Sequence, residues 1–224
     1  MLRIEDNREK WEELALQRFL EMLRAKDGDL EVVGKLFEVL FDVDSLKKIA
    51  TFLKENQEGK QAFKEYHCLG DVDLNELHKL PENTLGYCYS NHLKERGLTP
   101  LNLEQIPINN DSEFILLHIR ETHDIWHVIT GFDTDIIGEI QLEAFCVKQL
   151  RFSRFWLSLL AKNLLKTTIY QIENSEKYLN AITEGWIMAN NASPLFGIRW
   201  DQFWNISLED IRTSLNIKRV QLES

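Results

Sequence analysis

His123, Asp124 and His127 fall within five residues, and Glu139 follows after eleven more. On a helix, residues four apart share a face, so His123 and His127 aim two imidazoles at one point. Asp124 lies about 100° around the helix from His123 but only about 60° from His127, at roughly 3.6 residues per turn. Its carboxylate therefore reaches the edge of the same site. Gly131 supplies a turn after His127, and the acids at 133–135 can start a second helix. Helices joined so closely lie antiparallel or steeply crossed, which brings Glu139 toward the end of the first. Two imidazoles and two carboxylates suit one divalent transition metal. Zinc is the first expectation, and iron, cobalt and manganese accept the same donors. Four protein ligands can close a tetrahedral site, whereas catalysis needs an open or expandable position.

The elements that must hold these groups read as helices throughout. Trp11, Leu14, Ala15, Phe19, Met22 and Leu23 make one stripe. Val32, Val33, Leu36, Phe37, Leu40 and Phe41 make another. Asp44 and Ser45 can cap a helix through Ile49 and Leu53, and Asp29, Gly59 and Gly70 mark breaks. A turn from Leu80 to Gly86 opens a helix carrying Tyr89 and Leu93 that stops near Gly97, with Pro100 beyond. Tyr87 and Tyr89, beside Gly86, are candidates to line a pocket. A loop follows from Leu101 to Asn110, and Asp111 and Ser112 start the helix that carries the motif to Gly131. The next helix reads as unbroken from Ile136 to about Lys166, with further helices at 174–190 and 207–215, the latter with Ser207 and Asp210 as an approximate capping box. Trp186, Trp200 and Trp204 read as core. The fold class is all-α: one compact array over residues 1–224 with a two-helix metal site.

Composition narrows the function classes. Apolar residues make up 44% and charged residues 28%, a globular profile. A net charge of −10 excludes general nucleic-acid binding as the expectation. The three cysteines form no C-x-x-C and no disulfide framework, so a reducing, cytoplasmic location is the default. The N-terminal residues fit neither a secretory signal nor a transit peptide, and no window suits a spanning helix. Residues 148–166 run against the overall charge: Lys148, Arg151, Arg154, Lys162 and Lys166 with no acid. Phe152, Phe155, Trp156, Leu159 and Leu160 interleave with them. Such a helix reads as lipid or membrane-surface contact, with a core helix bearing a solvated basic face as the more ordinary alternative.

H-D-x-x-H, eleven residues and Glu resembles the signature of the coenzyme Q biosynthesis protein 4 family. The stretch LPENTLGYCYSNHL from Leu80 to Leu93 is similar to that family's upstream segment. LHIRETHDIWHVITGFDTDIIGEI is similar to its core, through Arg120, Trp126, Gly138 and Glu139, and PLFGIRWDQFWNISLEDIRTSLNI to its Trp-rich ending. The resemblance covers residues 80–216, while residues 1–79 match by helical pattern alone. After Glu139 the chain departs from the family: it lacks the Lys-Trp segment and the Gly-Leu-Pro turn usual in members from ubiquinone-making organisms.

The resemblance implies a role in making prenylated quinones. It implies a peripheral membrane protein that associates with other quinone biosynthesis proteins and takes a prenylated quinone precursor or isoprenoid lipid. It also implies that Asp124 is a ligand, where the acid of H-E-x-x-H proteases is a base. Two roles follow from it: an enzyme at ring carbon 1, where a carboxyl is lost and a hydroxyl gained, or a non-catalytic organiser with a structural metal. A groove between helices for the isoprenoid chain is expected, and a homodimer is compatible with all of this. For catalysis, His118 and Glu143 are candidates to orient a ligand or move a proton, Glu143 reading more readily as structural. Arg120 is a candidate to pair with a substrate carboxylate. A remote alternative is an HD-type metal phosphohydrolase, drawing further ligands from His67, His92, His118 and Asp201.

Overall fold

The structure, a computed structural model, describes residues 7–100 and 108–220. The expected loop at 101–110 therefore lies mostly outside the described residues, as does the start of the N-terminal segment. Among the described residues the chain is all-α, with one isolated antiparallel bridge between Thr84 and Ser207. The helices are α1 (Arg8–Arg24), α2 (Leu30–Leu40), α3 (Val43–Leu53), α4 (Gln57–Glu65), the short α5 (Leu74–Leu77), α6 (Leu85–Glu95), α7 (Asp111–Thr130), α8 (Ile136–Leu150), α9 (Arg154–Tyr170), α10 (Ser175–Asn191) and α11 (Leu208–Ser214).

Side-chain caps define most starts. Asn7, Asp29, Asp42, Asn56, Thr84, Asn110, Asp135 and Ser153 each accept a hydrogen bond from a first-turn backbone N–H. The cap of α3 is thus Asp42, two residues before the expected Asp44. The capping box at Ser207 does not form, because the backbone there is drawn to the turn before α6: Leu208 N–H donates to the Asn83 carbonyl at 2.8 Å. Gly59 lies inside α4, not at a break; the break is at Asn56.

Helix α7 is the central element, with thirteen of its twenty residues buried. Helices α3, α6, α8 and α11 pack on it, while α9 and α10 back α8, and α1 and α2 cross α9. Phe63, Phe114 and Phe196 form one aromatic node of the main core, and Phe37, Phe41 and Phe155 another. Trp200 is buried and Trp204 stacks on Tyr89, but Trp186 is largely exposed, with the Lys148 ammonium over its ring.

The helix expected from Ile136 to Lys166 is broken. Arg151 and Phe152 both take positive φ, 42° and 50°, and Ser153 caps a new helix. No glycine or proline marks this corner. Contacts from α3 hold the strained pair: the Arg151 guanidinium sits 4.5 Å over the Phe52 ring, and Phe152 packs edge-on against it. The corner turns α9 back across α8, which places Trp156 against His123.

Candidate metal centre

The turn between α7 and α8 is built to present His127. Gly131 ends α7 at φ 75°, a left-handed cap open to glycine at no steric cost. Arg212, from α11, donates to the last-turn carbonyls of Val128 and Ile129, both at 2.9 Å. The Phe132 carbonyl then faces back and accepts from His127 Nδ1 at 3.0 Å. That bond assigns the proton to Nδ1 and leaves Nε2 as the bare donor, the arrangement a metal-binding histidine needs. Arg96 ties the turn down through Asp133 and Thr134, and Asp135 caps α8. Gly138 lets α8 start flush on the turn, since a Cβ there would lie 1.9 Å from the Asp133 carbonyl oxygen.

The result is a cluster. Ligand atoms of His123, His127 and Glu139 lie within 4.8 Å of one another. The two imidazoles meet edge to face, with centroids 4.8 Å apart. His127 Nε2 and Glu139 Oε1 are 3.4 Å apart, an attractive contact not aligned as a hydrogen bond, so buried Nε2 has no hydrogen-bond partner. An orphaned buried acceptor is costly unless something else meets it. That vacancy of bonding, the two-nitrogen and one-oxygen donor set, and the second bond at Nδ1 all fit a divalent transition metal.

The electrostatics agree. Burial opposes a charge on His127, but Glu139 and the Phe132 carbonyl outweigh it and raise the imidazole's pKa. Burial also opposes ionisation of Glu139, and the two histidines outweigh it, holding that carboxyl below its ordinary range. His123 is lowered by burial and then by His127. Its ring stacks on Trp156 with centroids 5.9 Å apart.

Asp124 is half-buried beside the cluster and outside the close grouping, though its charge acts on both histidines. His92, on α6, is a neighbour that motif reading missed as part of this site. Its ring stacks over His127 with centroids 5.9 Å apart, its Nε2 has no hydrogen-bond partner, and burial with Arg96 pushes its pKa down to about 4. No local spacing announces it, because it arrives from another helix.

Several expected site residues are elsewhere. His118 is on the far side of α7, with Nδ1 bonded to Glu121 at 3.0 Å and Nε2 accepting from the Gly197 N–H at 3.1 Å. Both nitrogens are used, so it neither orients a ligand of the cluster nor has a free site for proton transfer there. Arg120 is exposed, with no hydrogen bond or ion pair among the described residues. Tyr89 is core against Trp204, and Tyr87 stacks on His78; neither lines the cavity at the cluster. His67 pairs with Asp201 at 2.9 Å beside a groove that also contains His118. Of the further ligands of a phosphohydrolase, His67, His118 and Asp201 therefore lie away from His123 and Asp124, and only His92 stands near them.

The basic stretch is corrected too. Phe155, Trp156, Leu159 and Leu160 are buried and cannot face a membrane surface. Arg154 is spent on Asp42, and Lys166 on Asp27 and the Ala25 carbonyl. Of the expected contacts only Arg151 and Phe152 are exposed. Phe155, Trp156 and Leu159 line a cavity of about 470 Å³, together with Met22, Val33, His123 and Glu139. Glu143 also faces this cavity. It is buried, accepts from Asn163 Nδ2 at 2.8 Å, and desolvation pushes its pKa up to about 8 despite Lys162.

A profile described as coenzyme Q (ubiquinone) biosynthesis protein Coq4 matches residues 7–221. The chain belongs to the Coq4 family. It is 25% identical over 195 residues to the mitochondrial ubiquinone biosynthesis protein COQ4 homolog of Aedes aegypti, covering 81% of this chain and 66% of that one. It is 27% identical over 179 residues to the mitochondrial COQ4 of Candida tropicalis, covering 77% and 54%. The chain thus spans between about half and two thirds of the length of these Coq4 relatives. A crystal structure of a Nostoc punctiforme protein, provisionally named for ubiquinone biosynthesis, superposes with a TM-score of 0.82 at 27% identity, covering 92% of this chain and 98% of that one. Coq4 membership agrees with the helical array, which the Nostoc punctiforme structure shares. Among the described residues no helix is long and apolar enough to cross a membrane.

Proposed function

We propose that this Coq4-family chain is a metal-dependent enzyme of prenylated quinone synthesis, acting at ring carbon 1 of a prenylated hydroxybenzoate-type precursor. The observation that carries the reading is the unpartnered Nε2 of His127, which meets His123 and Glu139 at one end of a largely apolar cavity. His123, His127 and Glu139 would hold one divalent ion, with Asp124 as the fourth ligand. Such an ion supplies Lewis acidity toward a ring carboxylate or phenolate, and the redox capacity of iron, cobalt or manganese where zinc has none.

The chain's own groups do the rest. Met22, Val33, Phe155 and Leu159 offer apolar surface along which an isoprenoid tail would lie and exclude water. Glu143, neutral below about pH 8, would donate a hydrogen bond to a ring oxygen. In the reaction the bond from carbon 1 to the carboxyl breaks with loss of CO2, and a carbon–oxygen bond forms with the oxygen of a water molecule. That is a two-electron oxidation, in which dioxygen takes up the two electrons and two protons and leaves as hydrogen peroxide. Replacing Glu139 by Gln should abolish release of labelled CO2 from a carboxyl-labelled prenylated hydroxybenzoate while helicity is retained. Unchanged release from folded Glu139→Gln would sink the catalytic reading.

One observation favours the second reading, an organiser of the biosynthetic proteins at a membrane. The outer face of α9 exposes Leu157, Leu164, Leu165 and Ile169, with no exposed charge among them. On that reading Glu139→Gln leaves function in cells intact, and charges placed at Leu157 and Ile169 abolish it.

A further inference from the structure

Lys162 is a buried cation without a full counter-charge. Its side chain is 9% exposed and lines the cavity. Its nearest carboxylate is Asp27, 3.6 Å away at the cavity rim. Asp27 is already taken: Lys166 reaches it at 2.8 Å, so two ammonium groups share one carboxylate. Glu143, also nearby, is held by Asn163, and its burial favours the neutral form; Glu139 acts on Lys162 only through space, its carboxylate pairing with His127. A second donor in the same wall, Trp156 Nε1, is buried with no acceptor at all. Burying a charge and a donor in this way is unfavourable unless a ligand completes them.

We propose that Lys162 is the anchor of an anion subsite in the cavity wall, separate from the metal cluster, that takes the acidic oxygen of an amphiphilic ligand. The apolar body of that ligand lies along Val33, Phe155 and Leu159. The inference rests on the reading of this cavity as the substrate site, and it names the residue that selects an acid over its neutral ester. Lys162 does so by charge, and Trp156 adds a hydrogen-bond donor to the same ligand. Asp27 competes with the ligand for the ammonium group, which keeps the subsite available instead of sealing it with a tight internal pair.

The test is a binding comparison on the full chain, by calorimetry, with 4-octylbenzoate, its methyl ester and decanoate as probes. Wild type should bind the acid about tenfold or more tightly than the ester, as expected when a buried charged donor finds its acceptor. Lys162→Met should remove that preference and leave ester affinity unchanged. Asp27→Asn, at the exposed rim, should strengthen acid binding, and it keeps the test open should Lys162→Met fold poorly. Equal affinity for acid and ester in wild type, or a preference that survives in folded Lys162→Met, overturns the proposal. Decanoate matching 4-octylbenzoate supports the subsite and assigns it to fatty-acid-like ligands; binding of the benzoate alone supports it and assigns it to ring acids. Repeating the comparison on metal-stripped protein removes any acid preference that an ion at Glu139 contributes, so loss of turnover in Glu139→Gln and loss of selectivity in Lys162→Met report on separate claims.

Discussion

His118 and His127 are two buried histidines on opposite faces of one helix. His118 donates to Glu121 and accepts from the Gly197 backbone, and Glu121 in turn accepts from the Leu69 N–H. Every polar group in that chain has a partner within the protein, and the chain ties α7 to two loops. His127 has one such bond, to Phe132, and its other nitrogen has none. Burial is nearly the same for both. What separates the structural histidine from the poised one is therefore hydrogen-bond completion, not depth.

The largest break in this comparison comes from deleting each ring. His127→Ala should take the protein from about one transition metal per chain to essentially none, by elemental analysis on protein purified without a chelating tag, with helicity retained. His118→Ala should keep its metal and lose about 2–3 kcal/mol of stability in urea denaturation, because Glu121 and the Gly197 N–H lose their partner. Metal loss in His118→Ala with normal stability would reverse the assignment of the two faces.

A subtler contrast concerns Glu143, a buried acid on the poised side. Its carboxyl keeps its proton in the fold up to about pH 8, whereas the unfolded chain releases it near the ordinary value of 4.5. The unfolded state then binds fewer protons between those values, so stability falls as pH rises through that window and levels off above it. Glu143→Gln removes this term. The melting temperature of the variant should gain on wild type progressively from about pH 4.5 to about pH 8. A gap independent of pH would show that Glu143 is ionised in the fold. The smallest effect is expected at the turn. Gly131→Ala forces an alanine to φ 75° and should cost about 1 kcal/mol, with a modest weakening of metal binding as the Phe132 carbonyl shifts. Weakened metal binding with no stability change would mean the turn orients His127 without strain.

Much of the fold was legible because its signals are local. The stripes on α1 and α2, the Gly131 stop and the Asp135 start depend on neighbours within one or two turns. The pairing of His123 with His127 is legible for the same reason, and Glu139 follows from a short loop. The break at Arg151 and Phe152 was not legible, because neither residue type prefers positive φ and the contacts that impose it come from Phe52, about a hundred residues earlier. With the break unseen, α9 read as an outward basic helix, when it turns Phe155, Trp156 and Leu159 inward and leaves Leu157 and Ile169 outside.

The sequence by itself determined the helical class, the helix boundaries that caps encode, and the donor types at helical spacing, because each follows from side chains a few residues apart. Only the tertiary structure decided which histidine is satisfied and which is open, that His92 stands beside His127, and that Lys162 and Glu143 face a cavity with His123 and Glu139. Those outcomes depend on which helix faces pack together. Whether a buried polar atom has a partner is settled by groups distant in the chain, and no local pattern carries that information.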